Sequence, residues 1–227
     1  MRRLAGLLFI LVVASACNDK GSKNELAEYF YPLEGEGKVY LYQDIHNGLA
    51  ERFHRIYRLV DSKGKHIIVE IYTEDGRIIE AYNYGVDSLN LDDHMIVDRD
   101  AKKRQAELFK NRLFPMDMQD QTYFASRFPG IRDSTLILHE IERRVNPTKP
   151  KEFISVMGKK REALVFEDNF RTTIFNPITH DEAEINGRNY SYFVKGIGLV
   201  RWRDNESKSD FQLKKIISEE DWIQLIK

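Results

Sequence analysis

The chain has 227 residues, of which 42% are hydrophobic and 31% charged, and its formal net charge is -1. This composition is typical of a folded globular protein and excludes a disordered one. A charge so close to zero gives no overall attraction to nucleic acid, so no nucleic-acid partner is expected. Cys17 is the only cysteine, which excludes an internal disulfide and a cysteine-based zinc site.

The N-terminus has the pattern of a secretory signal. Arg2 and Arg3 precede an apolar stretch from Leu4 to Val13, and small residues occupy positions 14–16. Because the apolar stretch is short for a permanent membrane-spanning helix, we interpret residues 1–16 as a signal peptide. Two alternatives are an uncleaved anchor helix and cleavage by the general signal peptidase, in which case the cysteine would be incidental.

The sequence Ala14-Ser15-Ala16-Cys17 resembles the lipobox of bacterial lipoproteins, although that family most often has Leu at the place of Ala14. The resemblance implies cleavage before Cys17, lipidation of its sulfur and attachment to a membrane of the cell envelope. Two or three acyl chains give stable anchoring, whereas one chain is marginal. We expect the outer membrane, with the protein facing the periplasm or the exterior. Residues 17–23 then form a polar lipidated tether, and residues 24–227 a single β-rich domain.

Beyond the tether, residues 24–32 predict a short helical turn that ends at Pro32. Most of the remaining chain predicts strands separated by turns. The strongest signal is Asp75-Gly76 between two β-rich runs, which predicts a hairpin. Further strands are predicted at 39–45, 52–60, 122–128, 135–144, 152–157, 163–167, 171–175, 185 onward, 190–202 and 211–217.

Three segments carry more specific expectations. Residues 100–113 could form a helix with an apolar side or a charged strand pair, and both interpretations stay open. Asn186-Gly187 predicts a second turn. Gly196 and Gly198 predict a bulge or bend in a curved sheet, because glycine weakens a regular strand.

The C-terminus predicts a short helix to Lys227, with Ser218 as its N-cap and acidic residues in its first turn. The fold class is therefore mainly β: an antiparallel curved sheet, forming a partial barrel or sandwich, with a few short helices. Tyr190–Arg203 resembles a strand of uncharacterised β-rich lipoproteins of Gram-negative bacteria, which implies no particular activity. A curved sheet that handles lipid would resemble the outer-membrane lipoprotein carrier fold, an analogy of fold alone.

Common catalytic signatures are absent, including the serine-hydrolase elbow, the zinc-protease helix and the nucleotide-binding loops. We predict no catalytic residue, no cofactor and no metal site. Three clusters have residue types that could form a cation site or an acid–base pair, but solvated turns are the favoured interpretation. They are His94 with Asp92, Asp93, Asp98 and Asp100; Thr179-His180-Asp181-Glu182; and Asp117 with Asp120. His139, within an alternating strand, is interpreted as structural.

Aromatic residues recur two apart, which places each pair on one face of a strand. The pairs are Tyr40 with Tyr42, Tyr82 with Tyr84, and Tyr190 with Tyr192. They predict either cross-strand packing or an aromatic-lined concave face that binds an apolar or sugar-like ligand. We expect a non-enzymatic envelope module for binding or assembly, with an apolar, glycan or protein ligand. The alternative is an envelope hydrolase using carboxylate and histidine chemistry.

Overall fold

The computed structural model of the chain describes residues 25–32, 35–46, 48, 50–98, 100–130 and 135–225. The expected signal peptide (1–16), Cys17 and the expected tether (17–23) lie outside the described residues. Within the described part of the chain, no helix has the length and apolar character needed to cross a bilayer.

The described part of the chain forms fourteen antiparallel strands in one sheet, in the order β6-β5-β4-β3-β2-β1-β14-β13-β12-β11-β9-β8-β7, with β10 paired to β11. The strands are β1 (Lys38–Asp44), β2 (Glu51–Asp61), β3 (Gly64–Thr73), β4 (Ile78–Gly85), β5 (Leu91–Val97), β6 (Lys103–Gln105), β7 (Glu107–Asn111), β8 (Gln121–Pro129), β9 (Leu136–Val145), β10 (Lys151–Val156), β11 (Lys159–Phe175), β12 (Glu182–Val194), β13 (Gly198–Asp204) and β14 (Asp210–Ser218).

The two edges of this sheet are brought together by one extended segment. β6 pairs with β5, whereas β7, which follows after the single residue Ala106, pairs with β8 at the other edge. Ala106 N donates to His94 O at 2.8 Å, which ties the segment to β5 at its midpoint. The sheet is therefore nearly closed and barrel-like, and the predicted fold class is confirmed.

Residues 100–113 form β6 and β7, which settles the choice between helix and strands. Their charged side chains are exposed, while Ala106 and Leu113 are buried. The segment closes the sheet by backbone pairing, with β5 through β6 and with β8 through β7, and it needs only a few apolar anchors. That requirement explains why helix-favouring residue types are compatible with strands here.

The turn predicted at Asn186-Gly187 is wrong, because both residues lie inside β12. The hairpin turn falls earlier, at residues 176–181. Gly187 is opposite Phe170, and a Cβ on Gly187 would come within 2.6 Å of the Phe170 ring. The glycine therefore makes room for an aromatic side chain and does not turn the chain.

The N-terminal segment closes one end of the sheet. A short 3-10 helix, Ala27–Tyr29, precedes Phe30 and Tyr31, both of which are buried. Phe30 contacts the rings of Tyr84 and Phe114 edge to face, with centroids 5.0 Å apart in each pair. We call this end, where Phe166 and Phe193 also pack against Phe114, the closed end.

A second, smaller core lies on the outer face. The helix α1 (Glu219–Leu225) places Trp222 against Val39, Phe53 and Tyr72. Asp221 N donates to Ser218 Oγ at 3.1 Å, so the predicted cap at Ser218 is present.

Candidate functional site: a cavity within the barrel-like sheet

The inward faces of the strands enclose a cavity of about 170 Å³ behind the closed end. Ile71 and Ile141 in its wall are partly buried, so the wall continues toward the more exposed opposite end, which we call the open end. The lining is predominantly apolar and aromatic. It consists of Phe30, Tyr31, His54, Val69, Ile71, Tyr82, Tyr84, Leu113, Phe114, Ile141, Arg143, Ser191, Phe193 and Leu199.

Tyrosines supply part of the polar surface around this cavity. Tyr42 OH donates to Leu199 O at 2.8 Å, and Tyr40 OH donates to Ile197 O at 2.9 Å. These bonds cross from β1 to the chain at the start of β13, where β13 has no backbone pairing with β14. Burial raises the pKa of Tyr31, Tyr40 and Tyr84 well above the ordinary value, so the hydroxyls stay protonated and can donate.

A buried ion pair fixes the floor of the cavity. Arg143 donates from Nε and Nη2 to the two carboxylate oxygens of Asp168, at 2.6 and 2.8 Å. Arg143 Nη1 donates to Leu113 O at 3.0 Å, and Ser191 Oγ donates to Asp168 at 2.9 Å. Burial would lower the pKa of Arg143, but the Asp168 charge outweighs it and the pKa is raised. The pair is thus ionised, fully partnered and without net charge.

His54 lies in the cavity wall and stacks on Trp202. Their rings stack with centroids 5.3 Å apart, and Tyr42 lies 4.6 Å from His54. Burial, and then the charge of Arg52, lowers the pKa of His54 to about 3. The imidazole is therefore neutral at neutral pH and contributes an aromatic surface.

A polar cluster lies beside Tyr82. Glu80 Oε1 is 2.8 Å from His94 Nε2 and accepts a bond of 2.6 Å from Tyr82 OH. The His94 ring stacks on Tyr82 at 4.8 Å and packs against Phe124 and Phe128, the two residues that flank Ser126 on the inner face of β8. His94 Nδ1 and Ser126 Oγ are both buried without a hydrogen-bond partner among the described residues.

This cluster resembles a serine–histidine–carboxylate set in residue types, but His94 is 1% exposed and Ser126 is fully buried. A nucleophile must meet its substrate, so this arrangement offers no access for hydrolysis.

The acids that surround His94 in sequence do not gather around its ring. Asp92 lies 3.1 Å from His66 Nδ1, Asp93 accepts from Gln105, and Asp98 accepts from Arg104. Among the described residues, no group of three or more His, Cys, Asp or Glu side chains is arranged to hold a metal ion.

The clusters around His180 and around Asp117 form local turns. His180 is exposed, and its backbone, at φ 61°, donates to Asn176 O. Asp117 accepts from the backbone of Asp120 at 2.9 Å, and Asp120 pairs with Arg112 at 2.5 Å. These bonds account for the residues as parts of turns, at a distance from the cavity lining.

The tyrosine pairs divide between the two faces of the sheet. Tyr40 with Tyr42 and Tyr82 with Tyr84 face the interior. Tyr190 and Tyr192 lie on the outer face, beneath Arg203 at 5.0 Å and Arg201 at 5.2 Å. His139 is partly buried, and its Nδ1 lies 2.8 Å from Thr172 Oγ1.

Sequence reasoning missed the Arg143–Asp168 pair and Glu80. The first pair joins residues 25 positions apart on β9 and β11, and the Glu80–His94 contact joins residues 14 apart. A charged residue at an inward position of an alternating strand is the one signal that could have identified them, and it requires the strand register to be known first.

No family model matches the sequence, and no curated protein matches it at a significant level. Two solved structures resemble the fold. A "putative lipoprotein" from Parabacteroides distasonis has a TM-score of 0.50 and 12% sequence identity, covering 83% of this chain and 98% of its own. A "putative exported protein with YmcC-like fold" from Bacteroides fragilis has a TM-score of 0.45 and 12% identity, covering 83% of this chain and 99% of its own. At these identities the likeness concerns the fold alone.

Proposed function

We propose that this protein is a lipid-anchored, non-enzymatic module of the bacterial envelope that binds one end of a small, largely apolar ligand inside its sheet. In this proposal Cys17 carries the lipid, residues 24–227 form one domain, and the outer membrane is the membrane concerned. The N-terminal sequence pattern supports the anchor. The fold likeness to a protein described as a putative lipoprotein is consistent with it.

The proposed binding activity rests on the cavity. Apolar and aromatic side chains with a few convergent polar groups are the usual lining of a ligand pocket. A volume of about 170 Å³ is smaller than the roughly 300–1,000 Å³ that takes a whole drug-sized molecule. It suits a single ring or the end of an acyl chain. Tyrosine hydroxyls in the wall can hold a hydroxyl or carbonyl group of that ligand.

The neutral character of the lining supports an uncharged ligand end. Arg143 and Asp168 cancel each other, and the His54 ring is neutral at neutral pH. Glu80 is already bonded to Tyr82 and His94. An isolated ligand charge would lose its hydration here without gaining a free opposite charge.

Dye binding tests the cavity. The chain from Asn18 onward contains every described residue, and it should bind the uncharged apolar dye N-phenylnaphthylamine saturably. Ile71→Trp fills the cavity and should weaken binding by at least about tenfold. Leu138→Trp is the matched control, because Leu138 lies on β9 outside the cavity lining. Failure of the wild type to bind, or equal binding by all three proteins, would count against the proposal.

Fatty-acid labelling in cells tests the anchor separately. The wild type should take up label and Cys17→Ser should not. The double variant Cys17→Ser with Ser22→Cys retains one thiol at a different place and should also remain unlabelled, because lipidation depends on the position of the cysteine. Labelling of either variant would contradict the assignment of Cys17.

A further inference from the structure

The strand β10 and the first residues of β11 form a two-stranded ribbon, residues 151–164, that departs from the rest of the sheet. Among the described strands, β10 pairs with β11 alone, from Lys151 opposite Leu164 to Val156 opposite Lys159. The turn at its tip is Met157-Gly158, both with positive φ, which is the conformation of a tight two-residue hairpin.

One face of this ribbon is packed against the outside of the sheet. Ile154, Val156 and Ala163 are buried. Gln212, on the outer face of β14, donates to Ser155 O, which holds the ribbon against that strand. The ribbon is therefore a fixed element with a definite second face, not a mobile flap.

The second face is exposed and combines apolar with basic side chains. Phe153 is 63% exposed and Met157 43% exposed. Lys160 lies on this face opposite Ser155, whereas Lys159 and Arg161 lie opposite Val156 and Ile154 on the packed face. All three side chains are nevertheless exposed, and none of them has an ion-pair partner in the described part of the chain. Lys160 Nζ lies 5.1 Å from the Phe153 ring centre, so charge and aromatic ring share one surface.

The charge of this ribbon contrasts with the rest of the molecule. Residues 149–163 contain five basic and two acidic side chains, giving +3, whereas the whole chain has -1. The two acids, Glu152 and Glu162, are paired with Lys149 and Lys151 at the base of the ribbon. Positive charge without a partner is therefore concentrated near the tip.

The position of the anchor brings this face to a bilayer. Lys151 interacts with the Tyr29 hydroxyl, so the base of the ribbon adjoins the N-terminal segment. Glu25 is eight positions after Cys17, and a chain of that length reaches at most about 26–29 Å. The ribbon from Lys151 to Met157 is about 20 Å long at roughly 3.3 Å per residue. The tether is thus long enough for the whole ribbon to meet the surface that holds the lipid.

We propose that the exposed surface around the tip of the ribbon, formed by Phe153, Met157, Lys159, Lys160 and Arg161, is a second membrane contact that docks on an anionic bilayer. The aromatic ring and the methionine enter the interface while the three cations meet lipid phosphates. This inference rests on the proposed lipid anchor, and it adds an orientation: the outer face of β12–β14 turns toward the membrane.

Site-specific quenching tests the contact in the full lipidated chain. Since Cys17 would be acylated, Ser155→Cys supplies the only free thiol, on the exposed face and without removal of Phe153 or Met157. The thiol is labelled with an environment-sensitive fluorophore, and the protein is reconstituted into phosphatidylcholine vesicles with or without about one third phosphatidylglycerol. Some lipids carry a nitroxide at the headgroup boundary as the quencher. Ile178→Cys, at the far tip of the β11–β12 hairpin, is the matched position.

The label at residue 155 should be strongly quenched in anionic vesicles, weakly in neutral ones, and less at high salt. The label at residue 178 should be unaffected in all of them. Reversal of Lys159, Lys160 and Arg161 to Glu should abolish the quenching, since each basic side chain near an anionic surface contributes about fivefold to the contact. The same reversal at Lys102, Lys103 and Lys208, which lie in or next to turns at the open end, should not.

Vesicle flotation separates the two proposals. If the chain floats with the vesicles but the label at residue 155 is no more quenched than the label at residue 178, the ribbon contact is wrong and the anchor stands. Equal quenching in neutral and anionic vesicles would overturn the role of the basic residues. A chain that does not float at all overturns the anchor, and the ribbon contact falls with it.

Discussion

The two ends of the barrel-like sheet are built from similar strands but are packed very differently. At the closed end Phe166 is fully buried among Phe114 and Phe193. Four residues later on the same strand and the same inner face, Phe170 is partly exposed. Among the described residues its one aromatic neighbour is His139, at 6.3 Å. The N-terminal segment makes the difference, because it supplies Phe30 and Tyr31 to one end only.

This difference in packing separates the residues that stabilise the fold from the residues that line the proposed binding cavity. Burial of large aromatic side chains concentrates the favourable free energy of folding at the closed end. The cavity lies where this packing stops, and its wall is partly accessible from the open end. Substitutions on the two sides of that boundary should therefore have different effects.

The largest effect is expected for Phe166→Ala. Removal of a fully buried ring should lower the free energy of unfolding by about 3–5 kcal/mol, measured by urea denaturation. Phe170→Ala removes the same atoms from the open end and should cost about 1 kcal/mol or less. Equal losses in the two variants would mean that the ends do not differ in packing.

A loss of about 3 kcal/mol is expected for Arg143→Met, because Asp168 would remain buried without its counterion. The value lies at the low end for such pairs, since Ser191 still donates to Asp168. Arg171→Met is the control: it breaks the exposed pair with Glu140 and should leave the urea midpoint unchanged. An unaltered midpoint for the Arg143 variant would show that the ion pair does not stabilise the floor of the cavity.

The contact between the N-terminal segment and the sheet can be tested at two nearby glycines. Gly196 and Gly198 both have positive φ, at 72° and 98°, but only at Gly198 would a Cβ meet the Tyr31 ring, at 2.5 Å. Gly196→Ala should cost about 1 kcal/mol from backbone strain alone. Gly198→Ala should cost about 2–3 kcal/mol because the N-terminal segment must also shift. Thermal unfolding of both variants measures the difference, and identical costs would argue against tight seating of Tyr31.

The smallest effect is a pH dependence. The pKa of His54 falls from 6.5 to about 3 on folding, so between these values the unfolded chain binds the extra proton. Stability from His54 is therefore complete above pH 6.5 and is lost as the pH falls toward 3. Between pH 7 and pH 5, the free energy of unfolding of the wild type should fall by about 2 kcal/mol more than that of His54→Phe. Parallel pH profiles for the two proteins would contradict a buried neutral imidazole.

Local sequence features predicted much of the fold. Asp75-Gly76 predicted the β3–β4 hairpin, and Ser218 predicted the start of α1, because turns and caps depend on the conformation of a few adjacent residues. Alternation placed each tyrosine pair on one face. It did not say which face was inward, so Tyr190 and Tyr192 could not be distinguished from Tyr82 and Tyr84.

The sequence by itself determined that this chain is a strand-rich protein with turns at short intervals, and it provided the prediction of lipidation at Cys17. Only the tertiary structure decided how the strands close and what they enclose. Residues 103–111 have no periodic pattern that marks a closing strand, and Arg143 meets Asp168 only after β9 and β11 pair in register. The physical reason is that hydrogen bonding and turn preferences act between neighbours in the chain, whereas the cavity is built from side chains that long-range strand pairing brings together.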